Sequence, residues 1–221
     1  MNWEKNRKSP SIYDIIFRFV GEWKRKMILH SDAKFFETSK ITRFMLNLYR
    51  LKGVPELFDF FLIKEYGVKK YIRPLESAIK EINYDPTNVL DMATGTGICA
   101  YYLSKHFPKT SIVAVDLSQE MINRALENCK DRKRIDFRVG DSKHLHYPDN
   151  SFDLVVTMNA PFSPLEMKRL LKKDKAVVLV WSYGRADKEL SDTLKHRFMS
   201  AGFREVSLRN VENGFYLIAK K

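Results

Sequence analysis

The stretch Val89-Leu90-Asp91-Met92-Ala93-Thr94-Gly95-Thr96-Gly97 carries an apolar run into two closely spaced glycines, and a helical pattern begins directly afterwards. Glycine lets a chain turn tightly and bring its backbone against a ligand where a Cβ would stand in the way. The first turn of the following helix presents free N–H groups, which favour a carboxylate or phosphate. Taken alone, the loop fits a dinucleotide site equally, because Gly95, Gly97 and Ala100 match G-x-G-x-x-G/A. Two further carboxylates narrow the chemistry. Asp116 closes Val113-Ala114-Val115-Asp116, where an acid can accept from ribose hydroxyls, and Asp141 follows Val139-Gly140. Asp91, Asp116 and Asp141 recur at intervals of 25 residues, each at the carboxyl end of a predicted strand. Open α/β sheets bind their ligands at that edge.

These carboxylates need elements to hold them. From Asn88 onward, short β-branched runs at Val89–Met92, Ile112–Val115, Ile135–Val139, Leu154–Thr157 and Ala176–Trp181 alternate with helical stretches. The helical stretches are Ile98–Phe107, Gln119–Cys129, Pro164–Leu171 and Asp187–Ala201. Such alternation predicts an α/β fold with a doubly wound, mostly parallel sheet covered on both faces. The last two runs, Glu205–Val211 and Phe215–Ala219, are joined by Glu212-Asn213-Gly214 with no room for a helix. They predict a carboxyl-terminal antiparallel hairpin, completing a seven-stranded sheet, with Asn-Gly supplying positive φ values at the turn. The first 85 residues follow another grammar. Apolar spacing there predicts helices over Ile12–Met27, Lys34–Leu51 and Pro55–Tyr66. A fourth helical segment places Ile72, Leu75, Ile79 and Ile82 on one face before Asp85-Pro86 ends it. The chain thus divides into a helical extension over residues 1–86 and a ligand-binding domain over residues 87–221.

The motifs of that second part resemble those of a known family. Asp91 to Gly97 resembles the first motif of the class I S-adenosylmethionine-dependent methyltransferases, and Val115-Asp116-Leu117-Ser118-Gln119-Glu120-Met121 resembles the second. Gly140-Asp141 and Tyr147-Pro148-Asp149-Asn150-Ser151-Phe152-Asp153 are similar to the third and fourth, in the manner of the ubiquinone and menaquinone biosynthesis group. Ala93 stands where glycine is commonest in the family. The resemblance implies a Rossmann-like transferase using S-adenosyl-L-methionine. The loop of Asp91, Met92, Ala93, Thr94, Gly95 and Gly97 would hold the methionine part, with Asp91 near its amino group. Asp116 would accept from the ribose hydroxyls, while Leu117 and Met121 would pack on the adenine. Asp141 would accept from the adenine amino group, and the Ser142 N–H would meet a ring nitrogen. Asn159 would line the pocket near the transferred methyl. Extensions like residues 1–86 commonly form a lid in such proteins, and plain core packing between the helices is the competing account.

Composition bounds the remaining choices. A 44% hydrophobic and 30% charged chain is globular, and its apolar runs are too short to cross a bilayer, so no stable membrane insertion is expected. Met1–Pro10 is charged with no uninterrupted apolar stretch after it, and Cys99 and Cys129 fall in predicted helices, so a cytoplasmic protein with reduced cysteines is expected. The net charge of +12 is evenly shared, with 17 Lys/Arg against 11 Asp/Glu in the first 85 residues and 22 against 16 afterwards. A nucleic-acid partner calls for a concentrated arm or stripe, so nucleic acid is disfavoured, and the family resemblance implies a small-molecule methyl acceptor instead. His144 and His146 alternate, but no third ligand falls nearby and no metal is expected. Fifteen of the 28 aromatic residues fall in the first 85, which suits a flat or apolar acceptor.

Alternatives follow from single features. Asn159-Ala160-Pro161-Phe162 resembles the Asn-Pro-Pro-Phe loop with which exocyclic-amine methyltransferases of nucleic acid or protein grip an amino group. An NAD-dependent oxidoreductase would use the same glycine loop but gives Asp141 no role. A non-catalytic nucleic-acid-binding module could retain the fold.

Overall fold

The computed structural model describes residues 47, 50–60, 62 and 67–221. The helices expected at Ile12–Met27 and, for nearly all its length, Lys34–Leu51 lie outside the described residues. Before the sheet, the described residues form α1 (Val54–Phe60) and α2 (Val68–Ile79). Strands and helices then alternate as β1 (Asn88–Met92), α3 (Ile98–His106), β2 (Ser111–Asp116), α4 (Gln119–Asn128) and β3 (Ile135–Val139). β4 (Phe152–Met158), α5 (Pro164–Leu170), β5 (Leu171–Trp181) and α6 (Lys188–Ser200) follow, and β6 (Glu205–Val211) and β7 (Gly214–Lys220) close the chain.

The seven strands form one sheet in the order β3-β2-β1-β4-β5-β7-β6. β1 through β5 pair in parallel, whereas β7 runs antiparallel to both β5 and β6. Every residue of β4 is buried, as a central strand covered on both faces requires. Two apolar clusters fill the two faces. One gathers Met167, Leu194, Phe198 and Phe203 beneath α5 and α6, and the other gathers Leu75, Ala78, Leu103 and Val178 beneath α2 and α3. Short side chains start the helices cleanly. Ser118, Ser163 and Asp187 each accept from a backbone N–H three residues on, at 3.3, 3.3 and 2.9 Å.

Three details depart from the sequence reading. β5 begins at Leu171, five residues before the apolar run, and its register with β4 shifts between Phe152 and Leu154, with Asp174 in a left-handed conformation at φ 60°. This is a bulge, which polar alternation over Lys172–Lys175 conceals. The carboxyl-terminal hairpin forms as expected, but none of Glu212, Asn213 and Gly214 has a positive φ. Asn213 serves α2 instead, whose Pro74 has no N–H to offer the Lys70 carbonyl. Asn213 Nδ2 donates to that carbonyl at 3.0 Å and to the Ser182 carbonyl at 3.2 Å. Gly214 is needed because a Cβ there would strike the Trp181 carbonyl oxygen and lie 2.8 Å from Pro74 Cγ. Thirdly, α2 is part of the sheet's own covering layer, burying Tyr71, Ile72, Leu75 and Ile79. Among the described residues no helix is long and apolar enough to cross a membrane.

Candidate active site

The strand order reverses between β1 and β4, and a cavity of about 190 Å³ opens beyond the carboxyl ends of β1 to β4. Crevices at such a switch point are where open sheets take ligands. The loop from β1 to α3 forms one wall. Ala93, Gly95 and Gly97 all have positive φ, at 58°, 57° and 87°, so the backbone turns left-handed at every second residue. The turns are pinned by Thr94 N–H donating to the Val115 carbonyl at 2.8 Å and by Gly97 N–H donating to the Thr94 carbonyl at 3.1 Å.

The two glycines have different jobs. A Cβ on Gly95 would meet nothing within 4 Å, so it would project into open space in the cavity wall. A Cβ on Gly97 would lie 3.0 Å from Ala125 Cβ and 3.2 Å from Cys129 Sγ. Gly97 therefore serves the close packing of α3 on α4 and does not line the cavity. Ala93 holds a left-handed conformation that costs an L residue about 1–2 kcal/mol.

The carboxylates divide similarly. Asp116 lines the cavity, with Oδ2 accepting from the Gly95 N–H at 2.8 Å and Oδ1 from the Ser118 N–H at 2.9 Å. Burial pushes its pKa up, against the lowering effect of those N–H donors. The carboxylate keeps acceptor capacity for a ligand hydroxyl beyond these backbone donors. Asp141 is exposed at the cavity edge, its Oδ1 accepting from the Lys143 N–H at 3.0 Å. Asp91 lies behind the wall. Its Oδ2 accepts from Thr94 Oγ1 at 2.6 Å, and Thr94 itself lines the cavity. Complete burial pushes the Asp91 carboxyl up to about 6, despite the bond from Thr94.

Of the other expected positions, Ala93, Thr94, Gly95, Leu117, Met121, Ser142 and Asn159 line the cavity. Leu117 is 40% exposed there, an apolar face held open to solvent. Met92 is fully buried in the core, where its carbonyl accepts from Thr157 Oγ1 at 3.0 Å. Asn159 is locked in place. Its Oδ1 accepts from the Ser182 N–H at 2.8 Å and its Nδ2 donates to Ser182 Oγ at 3.1 Å, while Ser182 Oγ donates to the Tyr71 carbonyl at 2.7 Å. That chain ties the end of β4 to β5 and α2. Sequence reasoning missed Phe58 and Tyr71, which line the cavity from α1 and α2 and meet edge-on at 6.4 Å. Their only signal was the crowding of aromatics upstream of the sheet.

Residues 89–178, which hold the glycine loop and all three carboxylates, match a family described as a methyltransferase domain. The chain carries a class I S-adenosylmethionine-dependent methyltransferase domain. It is 32% identical over 127 residues to demethylmenaquinone methyltransferase of Thermotoga maritima, covering 57% of this chain and 53% of that protein. It is 28% identical over 208 residues to phosphoethanolamine N-methyltransferase 1 of Arabidopsis thaliana, covering 77% and 42%. The chain thus spans about half or less of the length of these curated relatives. The structure of a SAM-dependent methyltransferase from Aquifex aeolicus shares the fold, with a TM-score of 0.58 at 22% identity over 75% of this chain and 97% of that one.

The methyltransferase domain passes a physical test of fit to its cofactor. Asp91 Oδ1 and Thr96 Oγ1 are buried in the glycine loop with no hydrogen-bond partner. Buried polar atoms without partners are rare and costly. Neither atom lines the cavity, which itself offers an open space at Gly95, an accepting carboxylate at Asp116 and an exposed apolar face at Leu117. These are the features that an amino-acid group, a ribose and a flat base require.

Proposed function

We propose that the protein transfers a methyl group from S-adenosylmethionine to a small aromatic or apolar acceptor. When bound, the cofactor supplies an electrophilic methyl group on a positively charged sulfur. The Gly95 loop would hold its amino-acid part, Asp116 its ribose, and Leu117, Met121, Asp141 and Ser142 its base. One observation carries the acceptor assignment: Phe58 and Tyr71, from upstream of the sheet, line the same cavity as Gly95 and Asp116. Methyl transfer is an in-line displacement, so these residues need to orient the acceptor and keep water out, tasks that gain about 7–11 kcal/mol when reactants are well aligned. A base is required only where the acceptor must first lose a proton. Residues 1–86 would accordingly act as the acceptor-side cover, of which α1 and α2 are the described part.

Amine methylation finds less support in the loop after β4. Both polar atoms of the Asn159 amide are engaged with Ser182, and Phe162 is 4% exposed, stacked on Phe198 at 5.7 Å. The ring that would clasp an amine is in the core. Calorimetry with S-adenosylmethionine, NAD and a mixed RNA pool tests the assignment, with Gly95→Val alongside. Binding of the first alone, abolished by the variant, is expected. Undiminished affinity in a folded Gly95→Val protein overturns it. Transfer of labelled methyl to a panel of phenols, quinones and amines then reads the acceptor class.

A further inference from the structure

A set of polar side chains between α1, α4 and the glycine loop has no part in the binding scheme above. α1 buries only Pro55 and Asp59, while Leu57 is 51% exposed. Surface helices ordinarily turn apolar side chains inward and carboxylates outward. Asp59 Oδ2 accepts from Arg124 Nε at 2.7 Å and from Asn128 Nδ2 at 2.9 Å. The same Asn128 amide donates to the Thr96 carbonyl at 3.0 Å. Its neighbour Cys129 directs its thiol at the Gly97 carbonyl, 3.7 Å away. The end of α4 therefore holds two successive carbonyls of the glycine loop and, through one amide, the carboxylate of α1. Phe58, adjacent to Asp59, is the α1 side chain in the cavity wall.

We propose that Asp59 and Asn128 are positioning residues that couple the glycine loop to the Phe58 wall, so that ordering the loop seats α1. The inference rests on the reading of the Gly95 loop as the cofactor site. An amide NH₂ has two hydrogens, and both are engaged, so its orientation is fixed jointly by Thr96 and Asp59. Beyond Pro55 and the edge-on contact of Phe58 with Tyr71, α1 buries little apolar surface among the described residues, so these charge-assisted bonds contribute to its seat. A ligand that tightens the loop then tightens α1, and by linkage an occupied acceptor wall tightens the loop. Asn128 would thus join the two halves of the cavity without touching either ligand.

Hydrogen exchange of the α1 amides, with and without S-adenosylhomocysteine, reads this directly, and calorimetry records occupancy. In the wild-type protein ligand should slow α1 exchange at least threefold. In Asn128→Ala ligand should still bind, but α1 exchange should no longer respond. Arg124→Gln removes one bond to Asp59 and leaves the link to Thr96, so α1 should exchange faster in both states and keep its response. Leu126→Ala, on the exposed face of the same helix, serves as the control and should match wild type. Cooperative melting is checked first, and Asn128→Ser, too short to bridge both partners, replaces Asn128→Ala if the latter does not fold. A full ligand response in the Asn128 variant overturns the coupling, as does a wild-type α1 indifferent to ligand that calorimetry shows to be bound. No binding to the wild type overturns the cofactor reading itself.

Discussion

Asp91 should make the ligand-free protein less stable as pH rises, and replacing it should remove that dependence. Its folded-state pKa is raised from 3.8 to about 6 by burial. Between those values the folded protein holds a proton that the unfolded chain has released, so stability falls with rising pH across this window. The penalty is absent below pH 3.8 and complete above about pH 6. A shift of this size corresponds to about 3 kcal/mol, at 1.36 kcal/mol per unit. Asp91→Asn adds a buried NH₂ with its own cost, so one measurement at a single pH would mix two effects. The change in the wild-type-minus-variant difference between pH 4 and pH 7.5 cancels that cost and isolates the ionisation. At pH 4 the unfolded carboxyl is already more than half ionised, so urea unfolding at the two pH values should show the variant gaining about 2 kcal/mol on the wild type, or about 4–8 °C in melting temperature for a chain of this length. A relative gain below about 1 kcal/mol refutes the reasoning. If the charge serves a cationic amino group, S-adenosylhomocysteine affinity should also rise with pH up to about 6 in the wild type and stay flat in the variant. That window closes near pH 8, where an α-amino group loses its own proton.

Other changes test neighbouring parts of the site. Asp116→Ala removes an acceptor for the ribose and leaves the Gly95 N–H without its partner, so S-adenosylmethionine affinity should fall at least tenfold by calorimetry; an unchanged dissociation constant would reduce Asp116 to a loop brace. Ala93→Gly relieves a left-handed L residue and should raise stability by up to about 1 kcal/mol in urea unfolding, with no stabilisation counting against strain at that position. Gly97→Ala should do the opposite, costing about 1–3 kcal/mol, because its Cβ meets Ala125 and Cys129 at φ 87°; a neutral result would show that α3 and α4 can separate freely.

Much of the fold was legible because its signals are redundant. Strand and helix periods alternate, glycine punctuates the loop at Gly95, and Ser118, Ser163 and Asp187 mark helix starts. Where a signal was single, the reading went astray. The bulge at Asp174 lies in the polar run Lys172–Lys175, which has no apolar alternation to betray a strand. Asn213-Gly214 looked like a left-handed turn, and its residues instead suit what the turn touches: a carbonyl to which Pro74 has no N–H to donate, and a backbone too close to admit a Cβ.

The same distinction explains what was legible in the site. Asp116, Asp141 and Leu117 were found because the chemistry resides in their own side chains, at positions fixed by the ends of strands. Asn128, Ser182 and Asp59 escaped because they act on backbone carbonyls or on one another across long stretches of chain, as Asn128 does with Thr96, 32 residues away. A carbonyl oxygen is the same in every residue, so no spacing or composition records which side chain will hold it. The wall residues Phe58 and Tyr71 fall between these cases, since their type suggested a flat ligand but only the packing of α1 and α2 brings them to the cavity. On the proposed reading, cofactor chemistry would be written locally in this chain, within a residue or two of each strand end. On the same reading, acceptor chemistry would be assembled from upstream helices, of which α1 is held by polar contacts such as Asp59 to Asn128. Changes to α1 should therefore alter acceptor preference strongly and cofactor affinity only by the smaller amount that the Asn128 link transmits, which Phe58→Ala tests by pairing calorimetry with the acceptor panel. Equal losses in both measurements would show that the wall and the loop are one structural unit and not two.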